Sequence, residues 1–193
     1  MKWKPALAML ALFFTPMLAH ADSTHVSNGP VTNWSYGLKS APAGNFTLFQ
    51  GRFTASGLPA WYDGTQYYPS VIFNNTSKTV FVPGKDLHFP GNHIVLHPSN
   101  DGRLAVVRWR AESSGTYQIQ GLFEGLETCG YRNVYIVVNA AVVFKQTIGG
   151  TAVTPFSLQY GLAVGNTVDF EVDDGGNQYY CDSVGLSALV TEL

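Results

Sequence analysis

Six aromatic side chains are the first residues in this chain whose types and spacing suit a particular chemistry. Trp34 and Tyr36 stand two apart in Asn33-Trp34-Ser35-Tyr36-Gly37, and Trp61, Tyr62, Tyr67 and Tyr68 crowd the stretch TASGLPAWYDGTQYYPS between Thr54 and Ser70. An aromatic face matches the apolar face of a pyranose, and polar neighbours can bond its hydroxyls, so these rings are candidates for stacking on a sugar. The competing expectation is that they fill a core or cap its edge. For Trp34 the core reading leads. Trp61 and Tyr62 are flanked by Gly57, Pro59, Asp63 and Gly64. They are expected on an exposed loop and in the binding site, together with Tyr67, Trp34 and Tyr36.

A second group could hold a cation. Glu171, Asp173, Asp174, Asn177 and Asp182 bring several oxygens near the end of the chain, and calcium takes six to eight oxygen ligands. Yet Asp173-Asp174-Gly175-Gly176-Asn177 is ordinary turn chemistry and matches no EF-hand spacing, so the turn reading is preferred. His88, His93 and His97 fit neither HExxH nor a helical pair, and His97 before Pro98 reads as structural. No GxSxG occurs, and a glycosidase pair of acids would have no support from spacing alone. No catalytic constellation emerges, and a non-enzymatic role is expected.

The remaining composition narrows the setting. Of 193 residues 46 % are hydrophobic and only 12 % charged, with net charge −2 and no Lys/Arg run. Nucleic-acid binding is therefore not expected. Lys2 and Lys4, the apolar run Ala6–Leu18 and the site Ala19-His20-Ala21 form an export signal over residues 1–21, too short to span a membrane. Residues 22–32 read as a loose N-terminal segment and 33–193 as one domain, secreted or periplasmic. In an oxidising compartment Cys129 and Cys181 can join, stapling the starts of two neighbouring strands. Two free thiols or half a metal site are the alternatives. With no CxxC and no histidine beside either cysteine, metal is the weaker of these. Three sequons, at Asn33, Asn45 and Asn74, read as coincidence if the source is bacterial.

The elements that must position these residues are short strands. The organising stretch is LAVVRWRAESSGTYQIQGLFE, Leu104 to Glu124, two apolar runs around the break Glu112–Gly115, and it predicts a β-hairpin. Val71–Phe73 with Thr79–Val82 predicts another, and Val134–Val138 with Val142–Phe144 a third, turning at Asn139-Ala140. Phe46 and Leu48 mark the first strand expected. Val168, Phe170 and Val172 should face inward while Thr167, Asp169 and Glu171 face water. About ten such strands, with no helical periodicity and no repeat, predict an all-β antiparallel sandwich.

The runs Trp34–Gly37, Leu96–Pro98, Val106–Trp109, Gly115–Tyr117, Gly121–Phe123, Val134–Asn139, Val164–Phe170 and Asp182–Leu186 resemble an exported bacterial β-sandwich domain found in PEP-CTERM-associated secreted proteins. That domain is similar to galactose-binding-like and carbohydrate-binding jelly-roll modules. The resemblance implies a jelly roll, with a glycan or extracellular matrix polymer as partner, and it makes calcium at Asp182 of interest. The chain stops at Leu193 with no sorting tail, so release rather than anchoring is expected. An adhesive surface protein that recognises another protein is the alternative function, and a secreted hydrolase a weaker third.

Overall fold

The computed structural model describes residues 33–64, 67–178 and 180–193. The expected leader 1–21 and the segment 22–32 lie outside them. In chain order the strands are β1 (Trp34–Lys39), β2 (Thr47–Leu48), β3 (Gly51–Ala55), β4 (Leu58–Tyr62), β5 (Ser70–Phe73), β6 (Val80–Phe81), β7 (His88–Phe89) and β8 (Ile94–His97). They continue with β9 (Leu104–Arg110), β10 (Gly115–Gly125), β11 (Tyr131–Val138), β12 (Ala141–Gly149), β13 (Val153–Leu162), β14 (Thr167–Val172) and β15 (Val184–Glu192). Among the described residues fifteen strands thus stand where about ten are expected. The surplus is β1, β3, β4 and β7: β4 lies in the stretch expected as a loop, β7 is too brief to leave a pattern, and Phe46–Leu48, expected as the first strand, is preceded by β1.

The strands form a six-stranded sheet, β12-β11-β14-β9-β1-β2, a seven-stranded sheet, β13-β10-β15-β8-β5-β4-β3, and a two-stranded ribbon, β6-β7. Between β8 and β15 every connection except the β11–β12 hairpin crosses from one sheet to the other. The resulting orders, β8-β15-β10-β13 facing β9-β14-β11-β12, are those of a jelly roll. The earlier strands widen it, β1 and β2 beside β9, and β5, β4 and β3 beside β8. The protein is an all-β antiparallel sandwich, as its alternating runs predict.

Inward positions of both sheets build one core, which includes Trp34, Tyr36, Trp61, Trp109, Ile119, Phe123, Phe156 and Phe170. Two smaller clusters lie on the outer faces. The β6–β7 ribbon, with Val80, Val82, Leu87 and Phe89, covers Leu58, Ala60, Ile72 and Val95. On the other side Phe46 covers Leu104, Val106, Tyr135 and Val137.

Several expectations are corrected. The two runs around Glu112–Gly115 do not pair: β9 lies between β14 and β1, and β10 between β13 and β15 in the opposite sheet. The connection is an arch across the sandwich, with Trp109 and Tyr117 meeting at 5.1 Å between the layers. A hairpin and an arch share the same apolar alternation, because both strands turn one face to a common core. For the same reason β5 and β6 do not form the expected hairpin: β5 pairs with β4 and β8, and β6 with β7. The Asn139-Ala140 turn is present, both residues at positive φ, joining β11 and β12. Cys129 and Cys181 are bonded, with Cα atoms 5.5 Å apart. The strands that follow them, β11 and β15, belong to opposite sheets, so the staple ties the layers rather than two neighbours within a sheet. Asn74 is buried, donating to Lys78 O and Phe89 O at 2.9 and 2.8 Å, so its sequon is occupied structurally.

Candidate functional site

The stretch expected as a long loop begins as a tight hairpin. Ser56 and Gly57, at φ of 50° and 85°, make a two-residue turn that pairs β3 with β4 from Gly51↔Tyr62 to Ala55↔Leu58. Pro59 is tolerated because β5 pairs only with Ala60–Tyr62 and needs no N–H from it. The strand then alternates, and alternation separates the two adjacent aromatics. Trp61 points inward, 4 % exposed, 4.7 Å from Tyr36. That corrects the expectation that Trp61 is exposed. The Gly and Pro that suggested a loop belong to a turn and to an edge position. Trp34 and Tyr36 are likewise buried, Trp34 stacking at 6.0 Å on Phe170.

Tyr62 points to the outer face, and there the structure assembles a cluster. Its ring stacks on Tyr67 at 5.6 Å and 30°, while Phe53 meets Tyr62 edge-on at 5.5 Å and Tyr67 at 5.1 Å. Tyr67 is 63 % exposed. Beneath Tyr62 lies Gly51, where an added Cβ would enter the ring. A polar chain borders the cluster: Arg103 bonds Asp63, which directly follows Tyr62, and reaches Asp101 at 2.7 Å. Burial alone would raise the Asp101 carboxyl, but hydrogen bonds from Ser99 and Arg103 and the Arg103 charge bring it below its usual value. An open aromatic ledge with fixed charged neighbours can take a planar apolar face and orient hydroxyls around it.

Of the five expected site residues, then, Tyr62 and Tyr67 come together on the surface, and Trp34, Tyr36 and Trp61 sit inside. Trp34 also lines a cavity of about 650 Å³, with Phe73, Ile94, Phe156 and Leu186 inside and Asn92, Gln120 and Ser187 among its other lining residues. Phe53, Gly51 and Arg103 escaped the sequence reading. A glycine inside a strand is the signal that would have pointed to Gly51, since it marks a close approach.

The acidic residues near the chain end are spent on structure. Both oxygens of Asp173 are engaged, by Asn133 N at 3.0 Å, Tyr135 OH at 2.5 Å and Gly175 N at 2.8 Å among others. Asp174 caps Gly176 N at 3.0 Å. Asp182 is buried instead beside Asn177 Nδ2 at 3.2 Å. Burial first, then the charges of Asp174 and Glu127, push its carboxyl up to about 7, against the pull of Asn177 and Arg132. Among the described residues no group of three or more His, Cys, Asp or Glu side chains could hold a metal ion. His88 lies 6.0 Å from Phe81 on the ribbon, His93 bonds Gly91 O, and His97 bonds Pro98 O and packs 4.2 Å from Tyr68. Burial is the main reason the His97 imidazole falls below its usual value.

The largest departure from expectation is on the outer face of the six-stranded sheet. Asp169 and Glu171, expected in water, are buried together with Lys39. Their sheet is covered on that side by Phe46, so alternation buries both faces. The signal was present in β9 and β11, which are apolar at consecutive positions.

No family model matches this chain, and no curated protein matches it. Solved structures similar to it include a family 51 carbohydrate-binding module from Clostridium perfringens in complex with methyl-galactose. That likeness has a TM-score of 0.44 and 12 % identity, and covers 75 % of this chain and 94 % of that one. A family 35 carbohydrate-binding module from Clostridium thermocellum has a TM-score of 0.36 and 18 % identity, covering 72 % and 95 %. A longer Clostridium perfringens chain, holding a second CBM51 in complex with GlcNAc and INT domains, has a TM-score of 0.40 and 9 % identity over 54 % of this chain. This chain spans only 22 % of that one. Likenesses of this order leave the ligand to be argued from the chain's own side chains.

Proposed function

We propose that this domain is an exported, non-catalytic module that binds a glycan or another extracellular polymer on the Phe53–Tyr62–Tyr67 ledge. The observation that carries the reading is the stacked pair Tyr62–Tyr67, with Tyr62 held on the β3–β4 hairpin and Tyr67, in the connection to β5, 63 % exposed. Leaving so large a ring in water is unfavourable unless a ligand covers it, and the adjoining Asp63–Arg103–Asp101 chain supplies polar groups for orientation. The cysteine bridge suits an oxidising compartment. Residues 33–193, displayed to a glycan array and to insoluble polysaccharides, should retain at least one ligand. Tyr67→Ala should weaken that binding at least tenfold, since a lost aromatic contact of about 1.5 kcal/mol corresponds to that factor. Its melting temperature should not change. Undiminished affinity for a bound glycan would remove the ledge from the site, and a silent array would remove the glycan. The alternative, recognition of another protein, is favoured by one feature: β3 is the open edge of its sheet, able to accept an added strand.

A further inference from the structure

The buried charges of the six-stranded sheet have a geometry that a salt bridge alone does not require. Lys39 ends β1 opposite Leu104, and across β9 Asp169 lies opposite Arg108 and Glu171 opposite Val106. All three side chains point to the outer face, so the lysine arm runs back over β9 to reach β14. Its Nζ stands 2.6 Å from Asp169 Oδ2 and 2.6 Å from Glu171 Oε1, with exposures of 1 %, 1 % and 0 %. A third contact, to Pro42 O at 3.1 Å, fixes the amine from the covering loop. Arg108 grips both Asp169 oxygens, at 2.6 and 2.8 Å, and stacks 4.1 Å over the Phe46 ring that shields the group. Glu171 Oε2 is buried with no hydrogen-bond partner. An amine, a clamped carboxyl carbon and a spare carboxylate are thus held together where water is excluded, and the reacting atoms have little further to travel.

We propose that Lys39 and Asp169 join covalently in the folded protein, forming an amide cross-link between β1 and β14 with loss of one water. The Nζ lone pair forms the bond to Asp169 Cγ, and one Cγ–O bond breaks with its electron pair left on the departing oxygen. Of the three ammonium hydrogens the amide keeps one. Glu171 takes the other two in turn from Nζ and hands them to the leaving oxygen, which departs as water. No oxidant, cofactor or second reactant is consumed. Arg108, bonded to both oxygens, stabilises the negative charge of the tetrahedral intermediate. Burial is the chief reason the Glu171 carboxyl is pushed up to about 7, against the pull of Lys39, and a group of that affinity both accepts and releases protons near neutrality. The reaction replaces an ion pair by a neutral amide, which relieves the desolvation of two buried charges and leaves Arg108 to balance Glu171.

The test is the intact mass of the folded chain after reduction of its disulfide. The cross-linked protein should be lighter than its sequence by one water, and its digest should contain one branched peptide that joins Lys39 to Asp169. Glu171→Gln, which keeps shape but cannot carry protons, should restore the full mass in a protein that still melts cooperatively, as should Lys39→Met. A folded wild-type chain at full mass would overturn the proposal. So would a branched peptide that joins Lys39 to Glu171, because it would exchange the two carboxylates' roles.

Discussion

Tyr62 can lie across its sheet only because the residue opposite it, Gly51, has no side chain. Gly51→Val should displace the ring, cost about 1–3 kcal/mol in overpacking, and, on the proposed function, weaken glycan binding as Tyr67→Ala is expected to. Calorimetry and affinity on one preparation check both, and unchanged affinity would show that the resting position of Tyr62 is irrelevant. Asp182 makes a prediction in pH. Its folded carboxyl is pushed up to about 7 from an ordinary 3.8, so between those values the folded chain holds a proton that the unfolded chain releases. Stability therefore falls as pH rises through that window, and it is highest below it. The groups that face Asp182 are Arg132, Glu127, Asp174 and Asn177; Glu171, pushed the same way, adds a slope of its own. Asp182→Asn should flatten the dependence of melting temperature on pH between about 4 and 7. Equal slopes in the two proteins would mean that Asp182 ionises freely when folded. At this scale the sequence was legible in part. Tyr67 reads as an exposed ring and is one, but in Trp61-Tyr62 nothing local tells which neighbour faces the core. That depends on the register set by Ser56-Gly57.

Strands were easier to recognise than their partners. The alternation of Val168, Phe170 and Val172 identifies β14 and its inward face correctly, as Val134, Ile136 and Val138 do for β11. What alternation cannot carry is the partner across the hydrogen bonds. The runs on either side of Glu112–Gly115 show this: their inward residues meet tip to tip across the core, as Trp109 and Tyr117 do, instead of lying side by side in one sheet. A period of two also reports one buried face and is silent about a second. Asp169 and Glu171 therefore read as solvent-facing, and only the Phe46 cover, some 120 residues earlier in the chain, makes them interior. The polar candidates were misplaced because local pattern does not record what a distant loop covers.

For the molecule as a whole, the sandwich was legible because composition, short strands and turn residues all favour it, and the jelly-roll order follows from the sheet crossings between β8 and β15. The disulfide holds the two sheets at one end, across a separation of 52 residues. On the chain-entropy account a loop of that length contributes about 4 kcal/mol. Cys129→Ser should lower unfolding free energy by a comparable amount, at most, in denaturant titrations of oxidised protein. A variant as stable as the parent would show that strain in the native bridge offsets the gain.

That same bridge determines how the domain would behave as a tether. Strands β11, β12, β13 and β14 all fall between Cys129 and Cys181, half of the jelly roll. A pull applied between the two chain ends, with no other cross-link in its way, passes through the sulfur atoms and bypasses those strands. Their 52 residues would otherwise pay out roughly 170–190 Å of extended chain. While Lys39 and Asp169 are unjoined, the oxidised domain is a short leash that can lengthen only by losing β1 to β10 and β15, and reduction makes it longer and more compliant. Once the Lys39–Asp169 amide forms, β2 to β13 leave the path of the force altogether.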